Sequence, residues 1–260
     1  MIIIGEKINA TRKAIAAALG ERNEKVIIQT AVEQAAAGAD FIDVNGGDPR
    51  EGMEVKNMAW LVELIQANTD KALAIDSADV AAMRMGLSLA KKKPILNSIS
   101  LESDRLTPML PIVAGHDCMV VALLMSDAGT PCGVDDRLQR AEALIVKLTA
   151  AGKDIRDIII DPCFLPVSAD MQAGRMVIDA IAKIHATWPD VHIGGGCSNI
   201  SFGLPKRRLI NVALLTQAIY HGMDTGLVDP CAEGVMATIL AAEAVAGKDD
   251  FCMNYVMNMK

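Results

Sequence analysis

Residues 72–97, ALAIDSADVAAMRMGLSLAKKKPILN, contain the pattern that decides the fold of this chain. A short apolar run ends in Asp76, a stretch with 3.6-residue apolar spacing follows at Val80–Lys91, and a second apolar run ends in Asn97. The middle spacing predicts an amphipathic helix, and the flanking runs, which are apolar without alternation, predict strands buried on both faces. The stretch is therefore a predicted β-α-β unit in which each strand ends in a polar side chain.

The same pattern recurs along the whole chain. The predicted helices are Lys25–Ala37, Met53–Ala67, Val80–Lys91, Leu106–Ala114, Asp135–Ala151, Met171–Thr187, Arg208–His221 and Cys231–Ala246, with a further short helix at Thr11–Leu19. The apolar runs between them are followed by acids, amides or a serine: Glu6, Asn9, Asp43, Asn45, Asp76, Asn97, Asp161, Ser198, Asn199 and Asp229. Such a ring at the carboxyl ends of parallel strands is where an α/β barrel builds its active site.

We therefore predict an α/β fold, a single (β/α)8 TIM barrel spanning residues 1–260. The length of 260 residues is close to the roughly 250 that one such barrel needs. A doubly wound open sheet is the competing architecture, but eight β-α pairs with polar residues after nearly all of them favour closure.

Composition excludes several classes of protein. The chain is 52% apolar, yet no apolar run approaches the roughly 20 residues that cross a bilayer. The Met1–Ile4 run is too short for a signal-peptide core, so we expect a cytoplasmic protein without membrane insertion. A net charge of −7 argues against nucleic-acid binding, which needs clustered Lys and Arg. Six scattered cysteines without a CxxC pair, and four dispersed histidines, predict reduced thiols and no bound metal.

The predicted mouth is rich in hydrogen-bond acceptors. It suits a ligand with many N–H donors, such as a pterin with its 2-amino-4-oxo heterocycle, whereas it would repel a carboxylate or a sugar phosphate. Some of these residues could instead cap the helices that follow them. The Gly194–Gly196 run fits a phosphate site in this fold, or it lets a flat ring or the following loop approach the backbone closely. No strand ends in lysine and no Ser-His-Asp set is visible, which argues against a Schiff-base aldolase and a serine hydrolase.

Several motifs carry a more specific resemblance. They are MIIIGEKIN (residues 1–9), DVN (43–45), IDS (75–77), LNS (96–98), IDP (160–162) with LP (165–166), and GCSNISFGLP (196–205) continuing to Asn211. In this order they make the chain similar to the pterin-binding methyltransferase family. That family includes methyltetrahydrofolate:corrinoid protein methyltransferases and the folate domain of cobalamin-dependent methionine synthase. The resemblance covers essentially the whole chain, and SNISFGLP is its most distinctive part.

The resemblance implies a pterin-binding barrel that transfers a methyl group between N5 of tetrahydrofolate and the cobalt of a corrinoid. The corrinoid would be carried by a partner protein that docks at the barrel mouth, with no metal bound directly. It also implies a homodimer, for which the helices Arg208–His221 and Cys231–Ala246 are candidate interfaces. The direction of transfer stays open.

The resemblance also assigns roles to individual residues. Asp76, Asn97 and Asp161 would hydrogen-bond the amide and amino edge of the pterin, and Asn199 would contact N5. The remaining implied ligand contacts are Glu6, Asn9, Asp43 and Ser198 in the floor and a water network, Met125 near the ring, and Arg207 at the p-aminobenzoyl-glutamate tail.

Methyl transfer at N5 requires a proton or a strong hydrogen bond there, because the leaving group would otherwise be an amide-like anion. Asn199 and Asp76 are the candidate catalytic residues, and Glu6 is an alternative proton route to Asp76. Two alternative functions remain. Dihydropteroate synthase shares the pterin pocket, but its pattern has an Arg-Lys pair after the serine where this chain has Asn199-Ile200. The other alternative is a noncatalytic pterin-binding barrel.

Overall fold

Eight parallel strands close into a barrel in chain order in the computed structural model, which describes residues 1–259. The strands are β1 Ile2–Asn9, β2 Phe41–Asn45, β3 Ala72–Asp76, β4 Ile95–Leu101, β5 Met119–Ser126, β6 Ile158–Asp161, β7 His192–Gly196 and β8 Thr225–Val228. Each strand pairs with the next, and β1 pairs with β8, so the sheet has no free edge. The predicted (β/α)8 barrel is confirmed.

Helices surround the barrel in the predicted order. They are α1 Lys13–Glu21, α2 Glu24–Ala36, α3 Met53–Asn68, α4 Val80–Leu89, α5 Ser103–Gly115, α6 Gly133–Ala150, α7 Ala173–Thr187, α8 Arg207–Tyr220, α9 Val235–Val245 and α10 Met253–Asn258. Short 3₁₀ turns lie at Ile155–Asp157, Cys197–Ser201 and Asp250–Cys252. Within residues 1–259, no helix combines the length and apolarity that a bilayer crossing requires.

Helix ends show the largest departures from prediction. The last barrel helix begins at Val235 rather than Cys231. Gly234 has a left-handed φ of 79°, so a right-handed helix cannot run through it from Cys231. The sequence-based reading also missed α10, a short helix whose residues are not buried. Elsewhere the predicted bounds hold to within about three residues, as expected where helix ends fray.

An apolar layer fills the barrel interior. Ile4, Ala74, Ile95, Val121 and Ile159 form a cluster drawn only from strands, each 6% exposed or less. A separate and larger cluster joins the outward faces of the strands to the helices. The interior layer therefore forms an apolar floor beneath the carboxyl ends of the strands.

The polar residues of the mouth stand directly above this floor. Side chains two positions apart on a strand share a face, so an inward apolar residue places the residue two positions later inward as well. The pairs related in this way are Ile4 and Glu6, Ala74 and Asp76, Ile95 and Asn97, and Ile159 and Asp161.

Two strands extend further than the sequence indicates. The apolar runs of the sequence stop before Glu6 and Asn97, but β1 continues to Asn9 and β4 to Leu101, so Glu6 and Asn97 lie inside strands and Asn9 ends β1. The pairing register shifts between Gly5 and Ile8 in β1 and after Asn97 in β4. Such bulges bend a strand and redirect its side chains. In β1 the extra residue allows Glu6 and Asn9, three positions apart, both to reach the mouth.

Candidate active site

Asp76, at the end of β3, is the acceptor of two amide groups. The Nδ2 atom of Asn45 donates to Asp76 Oδ2 at 3.0 Å, and that of Asn9 approaches the same oxygen at 3.5 Å. Burial raises the pKa of Asp76, while the Asn45 bond and the Arg105 guanidinium act in the opposite direction. Asn45 thus belongs to the site, although the resemblance assigned it no role.

Asp43, on β2, is buried beneath the mouth and is 1% exposed. Its Oδ1 accepts a hydrogen bond from Asn97 Nδ2 at 3.1 Å. Within residues 1–259, its buried Oδ2 atom has no hydrogen-bond partner. Burial, and then the nearby charge of Asp76, raise the pKa of Asp43 well above its usual range. A neutral Asp43 carboxyl group can donate a hydrogen bond as well as accept one.

Asp161, at the end of β6, is held against the backbone of β7. Its Oδ1 accepts from the amide of Cys163 at 2.9 Å. A side chain at position 195 would collide with it, since a Cβ added to Gly195 would lie 2.1 Å from Asp161 Oδ2. Burial raises the pKa of Asp161 to about 6.

The Gly194–Gly196 run allows close approach to the β7 backbone, and one approaching group belongs to the following loop, as we expected: a Cβ on Gly196 would lie 3.1 Å from Asn199 Nδ2. A Cβ on Gly194 would lie 1.9 Å from the carbonyl oxygen of Thr225 on β8, so this glycine permits close strand packing. Gly195 makes room for the Asp161 carboxylate. The groups that approach the backbone of β7 closely therefore belong to the protein itself.

Glu6 links β1 to the segment after β7. Its Oε1 pairs with Arg12 Nη2 at 2.9 Å, and its Oε2 accepts from Ser198 Oγ at 3.3 Å. Burial raises the pKa of Glu6, with the Arg12 charge opposing and the nearby Asp229 carboxylate adding to the rise. A cavity of about 160 Å³ beside Glu6 and Ser198 is lined on its other sides by α8, α9 and Asp229.

The three remaining predicted residues lie at the rim. Asn199 is in the 3₁₀ turn after β7 and its side chain is exposed. Met125, near the end of β5, lies with its sulfur 3.8 Å from the Cys163 thiol. Arg207 bonds the Ser198 carbonyl at 2.6 Å and Ser201 Oγ at 3.0 Å, so its guanidinium braces the loop that carries Asn199.

Two arginines beneath the rim were missed by the sequence analysis. Arg105 on α5 donates to the carbonyls of Ser77 and Ser98 and so ties the end of β3 to β4. Arg137 on α6 is fully buried and donates to the carbonyls that follow Asp161. The available signal was a basic residue on the otherwise apolar face of a predicted helix, since Arg137 precedes Ala141, Leu144 and Leu148 on that face. No group of three or more potential metal ligands occurs among residues 1–259.

Comparisons with known proteins agree with this architecture. A family model described as "Pterin binding enzyme" matches residues 5–229. Methylcorrinoid:tetrahydrofolate methyltransferase of Eubacterium limosum is 33% identical over 257 residues, which cover 98% of this chain and 94% of that protein. Methionine synthase of Mycobacterium tuberculosis is 27% identical over 88% of this chain, which spans 20% of that longer protein.

Solved structures show the same fold at lower identity. Dihydropteroate synthase of Coxiella burnetii, in complex with pteroic acid, superposes with a TM-score of 0.74 at 15% identity, covering 94% of this chain and 93% of that one. The enzyme of Xanthomonas albilineans with 7,8-dihydropteroate gives 0.72 at 19% identity, covering 96% and 92%. The fold is thus shared with the synthases, and the sequence match extends over nearly the whole length of a methyltransferase. The chain belongs to the pterin binding enzyme family.

Proposed function

We propose that this chain is a single-domain methyltransferase that moves a methyl group between the cobalt of a protein-bound corrinoid and N5 of tetrahydrofolate. The similarity to methylcorrinoid:tetrahydrofolate methyltransferase over 94% of that protein supports both substrates. That relative's name also supports transfer toward tetrahydrofolate as the working direction. The observation that carries the folate part is the ring of acceptors around the barrel mouth.

The acceptor ring fits the donor edge of a pterin. Asp161 would pair with the 2-amino group and N3–H, and Asp76 and Asn97 would take up the remaining polar atoms of the ring. The buried Asp43 Oδ2 lacks a partner within the described chain, which supports a bound ligand or water network above it. An ionised Asp161 supplies two oxygen atoms for adjacent N–H groups, the geometry that a guanidine-like edge requires.

The charge around the Ser198–Asn199 turn favours methyl transfer over pterin condensation. Glu6 accepts a hydrogen bond from Ser198, and Asp229 lies close enough to raise the pKa of Glu6. A pyrophosphate leaving group would be repelled by these carboxylates and would need a basic clamp. The positions after Ser198 are Asn199 and Ile200, and the nearby Arg207 is hydrogen-bonded to the loop backbone.

The chemistry at N5 defines what these side chains do. When tetrahydrofolate accepts the methyl group, the N5 lone pair forms the new C–N bond and the methyl–cobalt bond breaks, with its electron pair left on cobalt. N5 becomes cationic and then releases its proton. Carboxylates at Glu6 and Asp76 favour this cation electrostatically, and the Asn199 amide oxygen would accept the N5–H bond. The reverse reaction uses the same groups, with N5 protonated before the methyl group leaves.

The rim residues complete the proposal. Met125 would pack against the ring, and Arg207 would add a contact to the benzoyl-glutamate tail beyond its bonds to the loop. The corrinoid protein would dock at the open mouth, because N5 must face cobalt directly. A homodimer stays a prediction for size-exclusion chromatography with light scattering, and α8 is the candidate surface because Leu209 and Tyr220 are more than 60% exposed.

A methyl-exchange assay tests the proposal. With tetrahydrofolate and methylcob(III)alamin, or 5-methyltetrahydrofolate and cob(I)alamin, the purified protein should exchange the methyl group without added nucleotide or S-adenosylmethionine. Free cobalamin lacks the orientation that a carrier protein provides, an effect worth several kcal/mol, so the assay is repeated with corrinoid proteins.

The same preparation is then offered a pterin pyrophosphate and p-aminobenzoate. We expect no dihydropteroate to form. Accumulation of dihydropteroate without methyl exchange would establish the synthase alternative, and tight folate binding without either reaction would establish a noncatalytic pterin-binding barrel.

A further inference from the structure

Arg137 is an unusual residue for the interior of a helical layer. It lies on α6 with a side-chain exposure of 0%. Its Nε donates to the carbonyl of Pro162 at 2.7 Å, its Nη2 to the carbonyl of Cys163 at 3.3 Å, and its Nη1 to the carbonyl of Gly133 at 2.8 Å. The guanidinium is thus satisfied by backbone oxygens, two of which belong to the residues that follow Asp161.

The charge of Arg137 has no ion-pair partner. Within residues 1–259, no carboxylate oxygen lies within 4.0 Å of its nitrogens, whereas Arg140 on the same helix pairs with Asp136 at 2.8 Å. Arg140 also donates to the carbonyls of Leu124 and Gly129, which places it beneath a different loop. A buried cation without an anion is costly to maintain. Its bonds to the turn that follows Asp161 suggest that the positive charge acts on this acid.

We propose that Arg137 is a positioning residue for Asp161. It anchors the Pro162–Cys163 turn, whose amide holds the Asp161 carboxylate, and it supplies the positive charge that keeps this carboxylate available to the amino edge of the pterin. The role of Arg137 in pterin binding rests on the proposed function. Its effect on the Asp161 carboxylate can be tested in the ligand-free protein.

The surroundings of Asp161 agree with this assignment. Burial raises the pKa of Asp161 to about 6, and the amides of Cys163 and Gly196 and the Arg137 charge oppose that rise. The titratable groups that share this environment are the thiols of Cys163 on the same loop and Cys197 after β7. Burial also raises the pKa of both thiols, so they remain uncharged near neutral pH. Among these groups, Arg137 carries the positive charge.

The first experiment follows the Asp161 carboxyl carbon by ¹³C NMR in ligand-free protein, with Asp161→Asn to assign its signal. Arg137→Met removes the charge and all three bonds. Arg137→Gln removes the charge and retains an N–H donor, and Arg137→Lys retains the charge. Arg140→Met is the matched control, since it also deletes a buried arginine from α6. We expect a rise of about one pH unit in the pKa of Asp161 in the Met and Gln variants, and a near wild-type value in the Lys variant and the control.

The second experiment measures the tetrahydrofolate dissociation constant by calorimetry at pH 8 and pH 6. If binding requires ionised Asp161, a pKa raised by about one unit increases the ratio of mutant to wild-type dissociation constants about fivefold between these pH values. Titration of the ligand cancels in this ratio. A loss of tetrahydrofolate affinity that is equal at both pH values reports displacement of the Pro162–Cys163 turn. Arg140→Met should show no pH-dependent change in affinity.

An unchanged Asp161 pKa in whichever neutral variant folds would overturn the proposal, as would an equal shift in Arg140→Met. Failure of the wild-type protein to bind tetrahydrofolate would instead contradict the proposed function. The NMR titration would still decide the role of Arg137 in that case.

Discussion

The carboxylate of Asp161 occupies the space that a side chain at position 195 would need, because a Cβ on Gly195 would lie 2.1 Å from Asp161 Oδ2. A residue of β7 thus fixes the position of an acid on β6. The arrangement explains why the strand contains glycine where most buried strands contain branched residues.

Gly195→Ala should therefore impair pterin binding selectively. The methyl group must displace the Asp161 carboxylate, and a misplaced buried acceptor costs roughly 1 to 3 kcal/mol. We expect the tetrahydrofolate dissociation constant, measured by calorimetry, to rise about tenfold or more. Gly20→Ala in α1 is the control, since nothing lies within 4 Å of its added Cβ. Equal affinities for the two variants would show that Asp161 does not bind the ligand in its present position.

Asp161 should recognise the 2-amino group of the pterin, and a double-mutant cycle isolates that contact. The cycle compares wild type and Asp161→Asn, each with tetrahydrofolate and with an analogue that lacks the 2-amino group. Either change alone should weaken binding, because it leaves a polar group unpaired. The two losses should not add, with a coupling of about 0.5 to 3 kcal/mol. Additive losses in calorimetry would assign the 2-amino group to another residue.

Asn199→Ala should reduce the methyl-transfer rate more than folate affinity. The Asn199 side chain is exposed at the rim, and a bond to N5 gains strength only as charge develops there. Single-turnover kinetics and equilibrium binding separate these two effects. Asn68→Ala, in an exposed residue at the end of α3, should change neither quantity. A normal single-turnover rate with a raised dissociation constant would make Asn199 a binding residue only.

The His192–Asp224 pair, far from the mouth, should make stability depend on pH. Nδ1 of His192 lies 2.7 Å from Asp224 Oδ2. The bond to Asp224 raises the pKa of His192, so this contribution is complete below the unfolded pKa of about 6.5 and disappears as pH rises through the folded pKa. Burial opposes ionisation of Asp224, but the bonds from His192 and the Ile193 amide leave its pKa below the usual value, so its contribution disappears in acid.

His192→Gln should accordingly destabilise the protein more at pH 5 than at pH 8. The difference should be small because both side chains are partly exposed and screened by solvent. Urea unfolding at the two pH values measures it. His221→Gln, in an exposed residue that follows α8, is the control, and its effect at each pH is compared with that of His192→Gln. A greater loss of stability in His192→Gln at pH 8 than at pH 5 would contradict this prediction.

The positions of Asp76 and Asp161 at strand ends could be predicted from the sequence, because a short apolar run directly precedes each acid. The strand positions of Glu6 and Asn97 could not, since a bulge depends on the pairing partner and leaves no local pattern. The bond from Asn97 to Asp43 joins residues 54 positions apart, and only closure of the barrel brings them together. Arg137 was overlooked because its role depends on two carbonyl groups rather than on a charged partner.

The apolar floor formed by Ile4, Ala74, Ile95, Val121 and Ile159 has a kinetic consequence. The barrel axis is blocked below, so under the proposed function protons and water would reach N5 through the opening that a corrinoid protein would cover. Under the proposed chemistry, the proton lost from N5 must pass to a carboxylate within the chamber or wait until the partner departs. Carrier dissociation and proton release would then use the same opening. If the proton leaves only after methyl transfer, a solvent deuterium isotope effect should appear in steady-state turnover and be absent from the first turnover.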